Sequence, residues 1–269
     1  MRKLLLTILF LGACGQAEAQ QLHKFVPDND LWKEDNLTAS YKYTDESTFN
    51  RIINIGQQLY NATARQYGET LTFVRLWQDP TVNASAWRDG RGNTEVTMYG
   101  GMARRPEVLP LSFALVMCHE LNHLYGAAPY LDSGLRISAE GQSDWAGAGW
   151  CLQNVAAQLG DATSFPQTTY MQNMCGCSSP PPPTPSPCVK QELQLLACNQ
   201  TCLQALGAAN GLGTLLSRLN GGPVPNFETP DRTIVSRTEL SYPRTIQCRL
   251  DSYHNGTLSL QRPKCWFAR

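Results

Sequence analysis

His119-Glu120-Leu121-Asn122-His123 sets two imidazoles four residues apart, with a carboxylate directly after the first. On an α-helix, positions i and i+4 lie one above the other on the same face. Two histidines so placed can grip one zinc ion through ring nitrogens at about 2.0–2.1 Å. Glu120 lies about 100° round the helix from His119, where a carboxylate can take a proton from a metal-bound water. This His-Glu-x-x-His spacing is the zinc-hydrolase signature of metalloproteases. The alternative is a surface helix with two unrelated histidines. Against it, the chain has four histidines in all (His23, His119, His123 and His254), and two of them fall in the motif. The run Leu111–Cys118 before it is almost wholly apolar, as in a helix buried in a core. Gly126 is a natural stop.

A catalytic zinc takes three protein ligands and keeps one position open for water. No histidine follows His123 until His254, so a carboxylate must serve. Glu140-Gly141-Gln142-Ser143-Asp144 opens a second predicted helix, with Ser138 as its N-cap, running to about Leu159 before Gly160. Glu140 is the expected third ligand. Asp144, one turn on, can accept from the free ring N–H of a liganding histidine and so fix its tautomer. Read alone, the two acids would be ordinary first-turn residues that suit the helix dipole. The loop 127–137 contains Pro129 and Gly134, so the chain turns back and can bring Glu140 to the histidines.

His119-Glu120-x-x-His123 followed by Glu140-x-x-x-Asp144 resembles the gluzincin metallopeptidases, and within them the soluble, exported branch of the CAAX-prenyl-protease-type family. Upstream, Val82-Asn83-Ala84-Ser85-Ala86-Trp87 is similar to the Asn-Ala-x-Ala strand of those enzymes. Glu95-Val96-Thr97-Met98-Tyr99-Gly100-Gly101 stands where they carry a substrate-side strand, and the two glycines would let a backbone come close. The resemblance covers roughly residues 45–160, with a weaker echo near the C-terminus. Two departures stand out. Asn122 replaces the usual Gly before the second motif histidine. Tyr242-Pro243, with Arg249 seven residues from the Tyr, replaces a His-Pro pair with an Arg about six residues on. Tyr242, Arg249 and His254 can all donate to an oxyanion; Tyr242 or Arg249 is the expected donor, against structural roles such as an Arg249–Asp251 ion pair. The resemblance implies a Zn2+-dependent endopeptidase acting on extended polypeptides, with Glu120 as base. The rival reading is a catalytically silent zinc-binding module for envelope assembly or chaperoning; a base at Glu120 argues against it.

Met1-Arg2-Lys3, the apolar run Leu4–Leu11 and Ala17-Glu18-Ala19 read as a secretory signal peptide cleaved before Gln20. Leu11-Gly12-Ala13-Cys14 alternatively resembles a lipobox, which would anchor the chain through a lipid on Cys14. Both readings export it, to a bacterial periplasm or beyond. No other stretch approaches the ~20 apolar residues of a membrane span. Ten cysteines agree with an oxidising compartment. Nine lie beyond Cys14, and that odd number implies a free thiol. Cys118, in the buried helix, is the expected one.

The zero net charge argues against nucleic acid or an anionic membrane surface as partner. After an irregular arm over 20–44, the pattern predicts a helix over 45–65. Strands follow over 71–77, 82–87 and 95–102, the last two joined by the turn at Asp89–Asn93. The expected fold is α+β: a zincin-like domain with a small, mostly antiparallel sheet over the motif helix and the third-ligand helix. Residues 1–19 are the signal, 20–169 the catalytic core, 170–230 a Cys/Pro-rich disulfide-bonded insertion, and 231–269 the C-terminal part of the core. Within the insertion, Ser178–Pro187 reads as a polyproline II spacer. A helix over 190–206 and a Gly-rich loop then follow.

Overall fold

The computed structural model describes residues 23–32, 44–160, 167–177 and 199–268. The architecture is α+β, a small mixed sheet packed against helices. The signal segment, Cys14 and the proline run lie outside the described residues.

Helix α1 (Glu46–Gln66) starts where the Asp45 carboxylate accepts from the Thr48 amide at 2.7 Å. Such a cap satisfies one of the donors a helix start leaves bare. Phe49, Ile52, Ile53, Gly56 and Tyr60 recur at helical spacing and are buried. Strands β1 (His23–Lys24), β2 (Thr70–Leu76), β3 (Ala84–Arg88) and β4 (Asn93–Tyr99) form one sheet in the order β1-β3-β4-β2. The Asp89 side chain closes the β3–β4 turn by accepting from the amides of Arg91 and Asn93.

The sheet is mixed and mostly antiparallel: β1 pairs with β3 and β3 with β4 antiparallel, while β2 runs parallel to β4. One expectation changes here. The substrate strand expected at Glu95, Val96, Thr97, Met98 and Tyr99 is interior: β4 is bonded to β3 on one side and β2 on the other, so it has no free edge. Gly100 and Gly101 open the short helix α2 (Gly100–Ala103). A Cβ at either would fall 1.8 Å from the Trp77 carbonyl oxygen or 2.0 Å from that of Pro80. These glycines admit the chain's own backbone.

Helix α3 (Pro110–Tyr125) has Pro at its start, where the missing N–H is harmless. Gly126 ends it. From Pro110 to Leu124 every residue is buried, so it is the central element. The hairpin β5 (Tyr130–Asp132) and β6 (Ile137–Ser138) returns the chain to α4 (Glu140–Ala146). The expected single helix to Leu159 is instead broken. A π turn over Gly147–Cys151 separates α4 from α5 (Leu152–Leu159), and Gly149 leaves helical geometry with ψ −115°. Gly147 is the reason the break can press on α3: a Cβ there would meet the Cys118–His119 backbone at 3.0 Å. Ser138 is not the cap. It lies in β6, its hydroxyl donates to the Ala127 carbonyl, and Ala139 takes the N-cap place.

Helix α6 (Thr169–Met174) precedes α7 (Gln200–Asn220). The Gly-rich stretch after Leu206 is no loop: α7 runs on through Gly207, Gly211 and Gly213 to the left-handed Gly221. Contact overrides the poor helix propensity of these glycines. At Gly211 a Cβ would meet the Ser112 hydroxyl at 2.7 Å, and that hydroxyl donates to the Ala208 carbonyl at 3.0 Å. Thus α7 packs directly on α3, with Leu206, Ala209 and Leu212 in the main core. Helix α8 (Ile246–Thr257) closes the fold.

Three disulfides join described residues: Cys118–Cys151, Cys175–Cys202 and Cys248–Cys265. Cys177 is also disulfide-bonded, to a partner outside the described residues. Cys118 is therefore not the free thiol. The π turn carries Cys151 to Cys118 on α3, with a Cα–Cα distance of 5.7 Å. Several disulfides suit an oxidising compartment. No helix among the described residues is long and apolar enough to cross a membrane.

Candidate metal centre

His119 and His123 sit one turn apart on α3, and Glu140 opens α4 beside them. All three are buried. The two Nε2 atoms are 3.0 Å apart. Glu140 Oε2 lies 3.3 Å from His119 Nε2, and Oε1 lies 3.6 Å from His123 Nε2. Donors on two corners of a tetrahedron with bonds of about 2.0–2.1 Å stand roughly 3.3 Å apart. The observed spacings bracket that value, so the three residues form a ready metal-ligand group.

The opposite ring nitrogens are tied down. His119 Nδ1 lies 2.7 Å from Asp144 Oδ1, and His123 Nδ1 lies 2.8 Å from the Ser138 carbonyl oxygen. Both acceptors call for a proton on Nδ1, which leaves Nε2 free to bind a cation. The Ser138 carbonyl went unseen in the sequence, since a backbone acceptor carries no residue signature.

Arg249, expected as an oxyanion donor or on Asp251, pairs with Asp144 and not with Asp251. Its Nε donates to Asp144 Oδ2 at 2.9 Å, its Nη2 to Oδ1 at 2.9 Å and its Nη1 to the Phe25 carbonyl at 3.1 Å. Asp251 instead accepts from the Asp231 amide and from Gln247. The Tyr242 hydroxyl donates to the Lys24 carbonyl. His254 is hydrogen-bonded to Tyr170 and packs on Phe227. Asn122, where the resemblance leads one to expect Gly, donates to the Tyr60 hydroxyl at 3.0 Å and the Cys118 carbonyl at 2.7 Å. It locks α3 to α1.

Burial and charge set the protonation states. Burial works to raise the Glu140 carboxyl, but the imidazoles of His123 and His119 outweigh it and hold the carboxyl well below the usual range. Asp144 is likewise lowered: burial opposes ionisation, and Arg249 and His119 overcome it. For His119, burial pulls downward and Asp144 more than compensates, so its pKa is raised. Glu120 stands apart. Burial pushes its carboxyl up to about 8. Both its oxygens are buried without a hydrogen-bond partner among the described residues. Buried polar atoms are nearly always paired, so an orphan carboxylate at this place points to a missing ligand. Tyr242 is raised by burial and by the Glu140 charge, so its hydroxyl stays a donor.

A second cluster, Asp231 with Cys248 and Cys265, carries no such reading, because the two cysteines are bonded to each other.

No protein-family model, curated protein or solved structure matches this chain.

Proposed function

We propose that the protein is an exported zinc-dependent endopeptidase with a zincin-like active site. The observation that carries the reading is the convergence of His119, His123 and Glu140 at tetrahedral spacing beside a buried Glu120 whose oxygens have no partner among the described residues. Two neutral imidazoles and one carboxylate form a donor set suited to zinc with an open position. A purely structural site would have no use for the fourth group.

Bound zinc would acidify a water and polarise the scissile carbonyl. The chain's own residues do the rest. Glu120 takes the proton of the attacking water and returns it to the leaving amine. Tyr242 donates to the carbonyl oxygen as negative charge builds on it. Asp144 fixes the ring of His119, and Arg249 fixes Asp144. The N-terminal signal and the disulfides fit a periplasmic or secreted enzyme. The test is metal analysis of the purified protein together with hydrolysis of casein, with and without a chelator. One zinc per chain and chelator-sensitive cleavage, abolished in Glu120→Gln, is the expected result. Bound zinc with no cleavage of any polypeptide would favour the silent module.

A further inference from the structure

β3 lies next to the metal centre, and its outer edge is occupied. Residues 23–26 run along it antiparallel, with His23 opposite Ala86 and Lys24 opposite Ser85. The Phe25 amide donates to the Ala84 carbonyl at 3.0 Å. Asn83 then clamps the next residue from both sides: its Oδ1 accepts from the Val26 amide at 3.2 Å and its Nδ2 donates to the Val26 carbonyl at 2.9 Å. Arg249 donates to the Phe25 carbonyl and Tyr242 to the Lys24 carbonyl. Every one of these bonds is made to backbone, the mode by which a cleft holds peptides of varied sequence.

The side chains fix the register. In a strand, alternate residues share a face. His23 and Phe25 both turn toward the metal ligands: the His23 ring centre is 5.6 Å from that of His123, and the Phe25 ring meets His119 edge-on at 5.1 Å. The Lys24–Phe25 peptide unit lies in the chain between the two rings that meet the imidazoles, and its carbonyl oxygen receives the Tyr242 hydroxyl. Phe25 is wholly buried, with the Arg249 guanidinium over its ring at 4.6 Å.

Resting on the reading of the site as a peptidase, we infer that His23–Val26 fills the cleft as a tethered peptide, with Lys24–Phe25 in the place of the cut bond. A substrate must displace this segment. The peptides that do so are extended and carry a bulky apolar residue just after the cleaved bond, in the pocket that now holds Phe25. His23 was visible in the sequence only as one histidine of four. The strand pairing that brings it to the metal centre was not.

The test is binding, kept separate from catalysis. In the zinc-loaded Glu120→Gln chain, which does not cut, a fluorescent peptide of sequence Leu-His-Lys-Phe-Val-Pro is titrated by anisotropy. The same titration is run after adding Phe25→Ser, which weakens the tethered segment. Release of the cleft tightens peptide binding at least tenfold, and a peptide with Asp in place of its Phe binds to neither. Equal affinity in both proteins, or binding to neither while both melt cooperatively, overturns the inference. Should Phe25→Ser not fold, hydrogen exchange of the Glu120→Gln chain decides. Saturating peptide must speed exchange of the Phe25 and Val26 amides, and unchanged protection overturns the inference. Hydrolysis of casein with no such competition would leave the peptidase reading standing and remove this one. Competition without hydrolysis by the wild-type chain would remove the peptidase reading, and with it the cut bond assigned to Lys24–Phe25, and leave His23–Val26 only as the occupant of a peptide-binding cleft.

Discussion

Asp144 is shared between His119 and Arg249: its Oδ1 meets His119 Nδ1 at 2.7 Å and Arg249 Nη2 at 2.9 Å, while its Oδ2 meets Arg249 Nε at 2.9 Å. The pair with Arg249 is buried, and removing one partner of such a pair leaves a charge without compensation, typically a loss of about 3–5 kcal/mol. An Asn at 144 would offer one oxygen to His119 but turn an amide N–H₂ toward the guanidinium. Asp144→Asn should therefore weaken zinc binding by roughly 10–100-fold and lower the melting temperature of the metal-free chain. Chelator competition and thermal unfolding measure the two effects. Unchanged affinity would mean that the His119 ring needs no support from Asp144.

Glu120→Gln preserves shape and removes the proposed base. Hydrolysis should fall by roughly 10²–10⁴-fold, while zinc content stays at the wild-type level because Glu120 is not a ligand. Metal analysis beside the rate separates loss of chemistry from loss of metal. A variant that keeps near-wild-type rates would remove Glu120 from the mechanism.

The raised pKa of Glu120 has a consequence for stability. In the metal-free folded chain the carboxyl titrates near 8, against an ordinary value of 4.5. Between those values the folded chain holds a proton that the unfolded chain has lost. Unfolding then releases it, and stability falls as pH rises. The contribution is complete below the unfolded pKa and gone once pH passes the folded one. His119, raised by Asp144, acts in the same direction above its ordinary value of 6.5. Melting of the metal-free protein should thus worsen from pH 5 to pH 8, and Glu120→Gln should flatten part of that slope. The two proteins compared by calorimetry at both pH values give the answer; parallel slopes would show that Glu120 does not carry a raised pKa.

The part of this site that was legible lies in short-range spacing. His119, Glu120 and His123 declare themselves because a helix fixes where i and i+4 point. Glu140 follows because one short loop leaves the next helix little freedom. What escaped depends on pairing between distant segments. Nothing local tells β4 that β2 will pair with it in parallel and deny it an edge, or tells His23–Lys24 to lie on β3. Arg249 was picked out by type, yet only the packing of α8 on α4 decides that it reaches Asp144 rather than Asp251. The helix through Gly207, Gly211 and Gly213 was missed because local propensity argues against it, and contact with α3 overrides propensity.

Of the two expected oxyanion donors, Tyr242 is the one that donates to the carbonyl of the Lys24–Phe25 unit. Burial keeps that hydroxyl protonated. Tyr242→Phe should lower kcat by about 10²–10³-fold, the usual loss for one such donor, with a much smaller change in KM. A fall confined to KM would instead assign the hydroxyl to ground-state binding of peptide.

The Cys118–Cys151 bridge pins α3, one residue before His119, to the π turn that follows α4. It therefore ties together the two elements that carry the candidate ligands. Closing a loop of 33 residues restricts the unfolded chain and should contribute roughly 3–4 kcal/mol. The double variant Cys118→Ala/Cys151→Ala should unfold at correspondingly lower urea, and its zinc affinity should drop because Glu140 is no longer held against the histidines. Added reductant should bring the wild-type chain down towards the same midpoint and leave the variant's share of this bridge unchanged. The other bridges, those near α6 and α8 and that of Cys177, respond to reductant in both proteins, so the difference between the curves isolates this one. A variant whose urea midpoint equals that of the oxidised wild type would show that the packing of Gly147 on α3 alone holds the ligands together.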